Sequence, residues 1–134
     1  MKRILLCLAL LVSSFAAQAQ DAWPSRPVKL IVPSSPGGGT DVYARILAQA
    51  LAASLKQQFI VDNRPGASGN IGAAAAAKSP ADGYTFLVSA NPALAVNPSL
   101  YRELPYNAER DFTPVTRGVM APMAMVVHPE WRKV

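Results

Sequence analysis

Apolar positions along this chain fall into short β-branched runs separated by longer helical repeats. Val28–Val32 is a compact apolar run closed by Pro33 and Pro36, and it predicts a buried strand. Val42, Ile46, Ala50, Leu51 and Leu55 recur at helical spacing. They predict a helix from Val42 to Lys56 with one apolar face. Phe59-Ile60-Val61 reads as a second strand. Alanines 73 to 77 give Ile71–Lys78 high helix propensity and a thin side-chain layer, which lets a helix lie close to a sheet. Asp82-Gly83 turns the chain into a third strand, Tyr84 to Ser89. Beyond Asn91 the pattern weakens to a short helix over Pro98–Tyr101 capped by Asn97. Short strands are expected from Val115 and over Ala124–Val127.

Strand–helix–strand–helix–strand is the signature of an α/β fold, a parallel sheet with helices on its faces. Ligands of such sheets sit beyond the carboxyl ends of the strands. Those ends carry Pro33–Thr40, Asp62–Asn70 and Ser89–Pro92, all rich in glycine or small polar residues. In the first loop Gly37, Gly38 and Gly39 permit a tight turn and close backbone approach. Thr40 is placed as N-cap, and Asp41 in the first helical turn favours the dipole. In the second, Pro65 and Gly66 fit a type II turn over Arg64–Ala67, and Ser68-Gly69-Asn70 caps the next helix. Two helix starts facing one crevice favour an anion. Arg64 can grip a carboxylate with its forked guanidinium or hold its own loop through Asp62.

The ends and the composition narrow the class. Lys2 and Arg3, the apolar run Ile4–Val12 and Ala17-Gln18-Ala19 make residues 1–19 a signal peptide, too short in its apolar part to span a bilayer. Cleavage removes Cys7, the only cysteine, and takes the formal charge from +5 to +3. The 115 residues that remain, 20–134, are one domain by length, and apolar residues at 51% of the full chain suffice for a core. No basic cluster points to nucleic acid. No lysine follows the glycines, so a nucleotide P-loop is excluded, and the dinucleotide spacing is absent. The one histidine, His128, lies far along the chain from the glycine loops. Neither a catalytic triad nor a metal site is expected, nor a cofactor, and the chain reads as a non-enzyme.

Several ordered motifs resemble one family. Trp23-Pro24-Ser25-Arg26-Pro27-Val28 leads to Ile31-Val32-Pro33 and Pro36-Gly37-Gly38-Gly39-Thr40-Asp41. Val61-Asp62-Asn63-Arg64-Pro65-Gly66-Ala67-Ser68-Gly69-Asn70-Ile71-Gly72 and Asp82-Gly83-Tyr84-Thr85 follow. Asn97-Pro98-Ser99-Leu100-Tyr101 and Asp111-Phe112-Thr113-Pro114-Val115 complete the series. The series resembles the Bug receptors, substrate-binding proteins of tripartite tricarboxylate transporters. The resemblance implies a periplasmic, two-lobed type II binding-protein fold that takes a small organic acid and hands it to membrane permease subunits. No second apolar stretch is long enough for a transmembrane helix, so no membrane insertion is expected after signal cleavage. By motif match, Ser34, Ser35, Gly37, Gly38, Gly39 and Thr40 form one wall with Gly66, Ala67, Ser68, Gly69 and Asn70, flanked by Ser89 and Asn91; Arg64 is a candidate from its own chemistry alone. The family often carries an aromatic residue where Ser34 stands, which implies a more polar or differently shaped pocket. Two lobes need about two domains of ~100–150 residues each. The chain is therefore expected to be an incomplete N-terminal lobe, with the second lobe absent. A one-lobe interaction or sensing module and a non-functional remnant are the alternatives.

Overall fold

A computed structural model describes residues 23–122 together with Val126, His128 and Glu130; the expected signal peptide, most of Ala124–Val127 and Trp131 lie outside them. Three strands, β1 (Val28–Val32), β2 (Phe59–Asn63) and β3 (Thr85–Leu87), form a parallel sheet in the order β2-β1-β3. Val28 to Val32 pair with Phe59 to Asn63, and Lys29 to Ile31 with Thr85 to Leu87. As the central strand, β1 is covered on both faces, so its apolar residues run nearly without interruption. The α/β fold with a parallel sheet and flanking helices is therefore as expected. Val115 starts no strand and stands exposed.

Helix α1 (Gly39–Leu55) packs on the face that carries Val28, Leu30, Phe59 and Val61. Its buried residues are Asp41, Ala44 and Ala48, while Val42 and Ile46 are 49% and 62% exposed. The expected apolar face is thus turned outward at its first two positions. The alanine stripe wins because it lets the helix lie close to the strands. It also brings Asp41 inward, to partners at the end of β2. Beside α1, Trp23 covers β3: its ring meets Tyr84 and Phe86, and its indole N–H donates to Gly83 O at 3.2 Å. Arg26 stacks 4.2 Å from the Tyr84 ring centre and pairs with Asp82.

Helix α2 (Asn70–Ala77) lies on the opposite face, where Ala73 is fully buried with Ala93 and Tyr106. The expected close approach is present at Gly72. A Cβ there would lie 2.8 Å from Pro33 Cα and 2.9 Å from Arg64 O. The chain then makes a π-helical turn, Pro92–Val96, that runs into α3 (Asn97–Leu100). The π turn was not foreseen, because its residues carry no periodic mark of an extra residue per turn.

The clash at Gly72 involves backbone atoms, which have little freedom to yield. Gly72→Ala is expected to destabilise the fold by roughly 1–3 kcal/mol, as overpacking typically does. A lowered midpoint in urea denaturation, with unchanged slope, is the expected reading.

Candidate functional site

Because the three strands are parallel, their carboxyl ends share one edge of the sheet, and the loops leaving them surround an open cleft of about 490 Å³. Ser34, Ser35, Thr40, Gly66, Ser68, Gly69 and Ser89 line it, with Pro33, Pro65, Ala90, Pro92 and Ala93 between them. Its wall is hydroxyls set among prolines and alanines, with no charged side chain in the lining. Gly37, Gly38, Gly39, Arg64, Ala67, Asn70 and Asn91 stand outside this lining.

The first loop is organised by a buried carboxylate. Asp41 is only 2% exposed. It accepts hydrogen bonds from Gly37 N–H at 2.8 Å, Arg45 Nε at 3.0 Å and Asn63 Nδ2 at 2.9 Å. Asn63 Nδ2 also donates to Ser34 O at 3.1 Å, which ties the loop after β1 to the end of β2. The Arg45 guanidinium, then the Gly37 N–H and Asn63, hold the Asp41 carboxyl down from the usual 3.8 to about 2. Arg45 is one helical turn on from Asp41, a spacing the sequence displays. The N-cap is Gly38 rather than Thr40. Asp41 folds back over Gly37 and meets a donor ahead of the helix, and Gly38 N–H is held by Ser35 O. Those two N–H groups therefore serve the loop itself, and Thr40 lies in the cleft wall instead.

The second loop departs from a type II turn. Gly66 has the expected positive φ, 121°, but its ψ of 154° is extended. Ala67, Ser68 and Gly69 follow at φ 47°, 52° and 92°, a left-handed turn closed by Gly69 N–H donating to Gly66 O at 2.9 Å. Arg64 Nε pairs with Asp62 at 3.0 Å on the exposed side of the loop. Asn70 is buried and turns its side chain to Asn97 and Tyr106. Asn91 opens the turn that carries Pro92, and Ser89 Oγ donates to Ala90 O.

Ser34 is the exception among these satisfied groups. Its Oγ is buried and has no hydrogen-bond partner. Native structures rarely leave such an atom unpaired, and this one is closed to the open cleft as well as to protein partners. His128 lies outside the cleft lining with its side chain largely exposed. Among the described residues no His, Cys, Asp or Glu cluster could hold a metal, and no helix is long and apolar enough to cross a membrane.

Comparison with known proteins matches residues 43–132 to the tripartite tricarboxylate transporter family receptor model. A UPF0065 protein of Bordetella bronchiseptica is 43% identical over 126 residues, 94% of this chain and 38% of that protein. BugT of Bordetella pertussis is 43% identical over 134 residues, covering 97% of this chain and 41% of its own. The chain thus spans about two fifths of the length of the curated relatives it matches. Among solved structures, an R. palustris protein with adipate is 48% identical with a TM-score of 0.67, over 69% of this chain and 31% of that one. MatC from Rhodopseudomonas palustris, with bound malate, is 34% identical with a TM-score of 0.66, over 69% and 32%.

Asp41 sets an acid limb for stability. Its carboxyl titrates lower in the folded chain than in the unfolded one, so the stability it contributes is present above about pH 4. That contribution is lost as pH falls through about 2. Asp41→Asn is expected to flatten the pH dependence of thermal unfolding between pH 4 and 2, and to lower stability at pH 7.

Proposed function

The chain belongs to the tripartite tricarboxylate transporter receptor family, and from that premise we propose that its cleft is one wall of a receptor site for a small organic acid. The observation that carries this reading is the set of hydroxyls that the cleft wall presents, Ser35 and Thr40 among them. A carboxylate oxygen placed against one of them accepts its proton. Ser68 and Ser89 hydroxyls line the same cleft, and Pro33, Pro65 and Pro92 offer apolar surface to an alkyl chain. Ligands of this composition, adipate and malate, are bound by the two relatives from R. palustris.

In this proposal residues 20–134 make up part of the N-terminal lobe of a two-lobed periplasmic receptor. Residues 1–19 direct export. The acid docks on the loops at the sheet edge, a second lobe closes over it, and the loaded receptor delivers it to membrane permease subunits. The role is capture and not catalysis: the lining offers neutral donors, and none of its side chains is a general acid, base or thiol at neutral pH.

A single wall contacts about half of the ligand surface that a closed site buries, so affinity for this chain alone is expected to be weak, around millimolar. Titration with adipate and malate, followed by amide NMR shifts, is expected to move Ser34, Ser68 and Gly69. Shifts confined to residues outside the cleft would sink the reading; micromolar affinity would sink the need for a second lobe. Ser68→Ala is expected to weaken acid binding by up to about tenfold, the worth of one hydrogen bond. Ser34→Ala should leave stability unchanged or slightly raised, because it deletes a buried group that the protein leaves unpaired.

A further inference from the structure

The second loop holds four consecutive residues at positive φ, Gly66, Ala67, Ser68 and Gly69. Glycine adopts this region freely, but Ala67 and Ser68 do so against the clash of Cβ with the following carbonyl. Such residues persist only where the surroundings over-determine them. The turn's own bond, from Gly69 N–H to Gly66 O, joins two glycines and leaves the carbonyl of Ser68 to be fixed from elsewhere.

Asn97 supplies that restraint. It sits at the start of α3, directly after the π-helical turn, and is 1% exposed. Its Nδ2 lies 3.0 Å from Ser68 O and 2.6 Å from Asn70 Oδ1. A carboxamide carries two N–H protons, and both are committed here. The amide has one workable orientation, because turning it round would set its oxygen against two acceptors. Tyr106 completes the cluster: its hydroxyl lies 2.8 Å from Asn70 Oδ1 and also reaches Ala93 O. Burial pushes the Tyr106 hydroxyl pKa up, which keeps it protonated as a donor. The cluster thus joins the left-handed turn, the head of α2 and the π turn, three segments that meet at the cleft. Ala93 presses on the same place, 3.3 Å from where a Cβ on Gly69 would stand.

We infer that Asn97 is a positioning residue for the cleft: its buried carboxamide holds the left-handed turn in the shape that presents Ser68 and Gly69 to the ligand. The inference rests on the organic-acid reading only for what that wall receives. Asn97 itself is absent from the cleft lining and acts through Ser68 and Asn70.

Three measurements test it. In the unaltered chain the Asn97 side-chain amide protons are expected to exchange with solvent at least a hundredfold more slowly than those of the exposed Asn107; equal rates overturn the inference. Asn97→Asp keeps the size and removes the paired donors. Backbone NMR couplings are then expected to show Ala67 and Ser68 leaving positive φ, and adipate affinity to fall at least tenfold. A folded Asn97→Asp chain that keeps the turn and its affinity overturns the inference. The third measurement separates positioning from general packing. Ala67 lies outside the cleft lining, so Ala67→Gly added to Asn97→Asp is expected to recover several-fold in affinity, because glycine reaches positive φ without the Cβ clash. Absence of any recovery overturns the inference. If the unaltered chain binds no acid, the organic-acid reading falls, while amide exchange and turn geometry still decide the role of Asn97. If Asn97→Asp fails to fold, amide exchange in the unaltered chain decides it.

Discussion

A carboxylate shut away from water has to be met by donors on every side, and Asp41 places that demand where the first loop, α1 and β2 come together. Its three donors come from the glycine turn, from one helical turn ahead and from the last residue of β2. Meeting all three fixes how α1 is rotated. With Asp41 inward, Ala44 and Ala48 face the sheet, and Val42 and Ile46 face outward. Meeting them also fixes the path of Pro33–Gly38, because Asn63 reaches past Asp41 to Ser34 O. The cleft wall is downstream of this arrangement.

The outline of the fold was legible because parallel strands and their crossovers leave coarse marks. β-branched runs, alanine-rich helices and glycine loops alternate in register with the architecture. The convergence of the loops on one edge followed from the parallel topology alone. Less legible were features decided by tertiary competition. Two apolar stripes lie on α1, and periodicity cannot rank them; the partners of Asp41 do. Pro65-Gly66 signals a turn, and Gly66 does take positive φ, but the turn type is set by Asn97, thirty-one residues beyond Gly66. The Asp41–Arg45 pair was visible as a helical spacing, whereas its burial was not. Its place before Pro98 marks Asn97 as a local helix cap, yet its side chain works at long range.

In the proposed reading the site binds by neutral chemistry. The positive end of α1 is answered by its own carboxylate, and Arg64 is engaged with Asp62 on the outer side of its loop. What the cleft offers is an array of hydroxyls on a rigid, proline-rich wall. Such a wall discriminates by the placement of acceptor atoms more than by net charge. On the proposed reading, selection among acids of similar charge lies with loop geometry, and loop geometry lies with the buried amides behind it.

Within the described residues, β2 and β3 each pair on one side only, with β1. Their outer ladders present unmatched N–H and C=O groups along Phe59–Asn63 and Thr85–Leu87. An extended segment of any chain can add to such an edge by backbone bonds alone. No proline interrupts β2 or β3, and β2 presents Ile60 half-exposed. Left bare, such edges are adhesive. The molecule's colloidal behaviour at high concentration is governed by what shields those two edges as much as by the packing of its core.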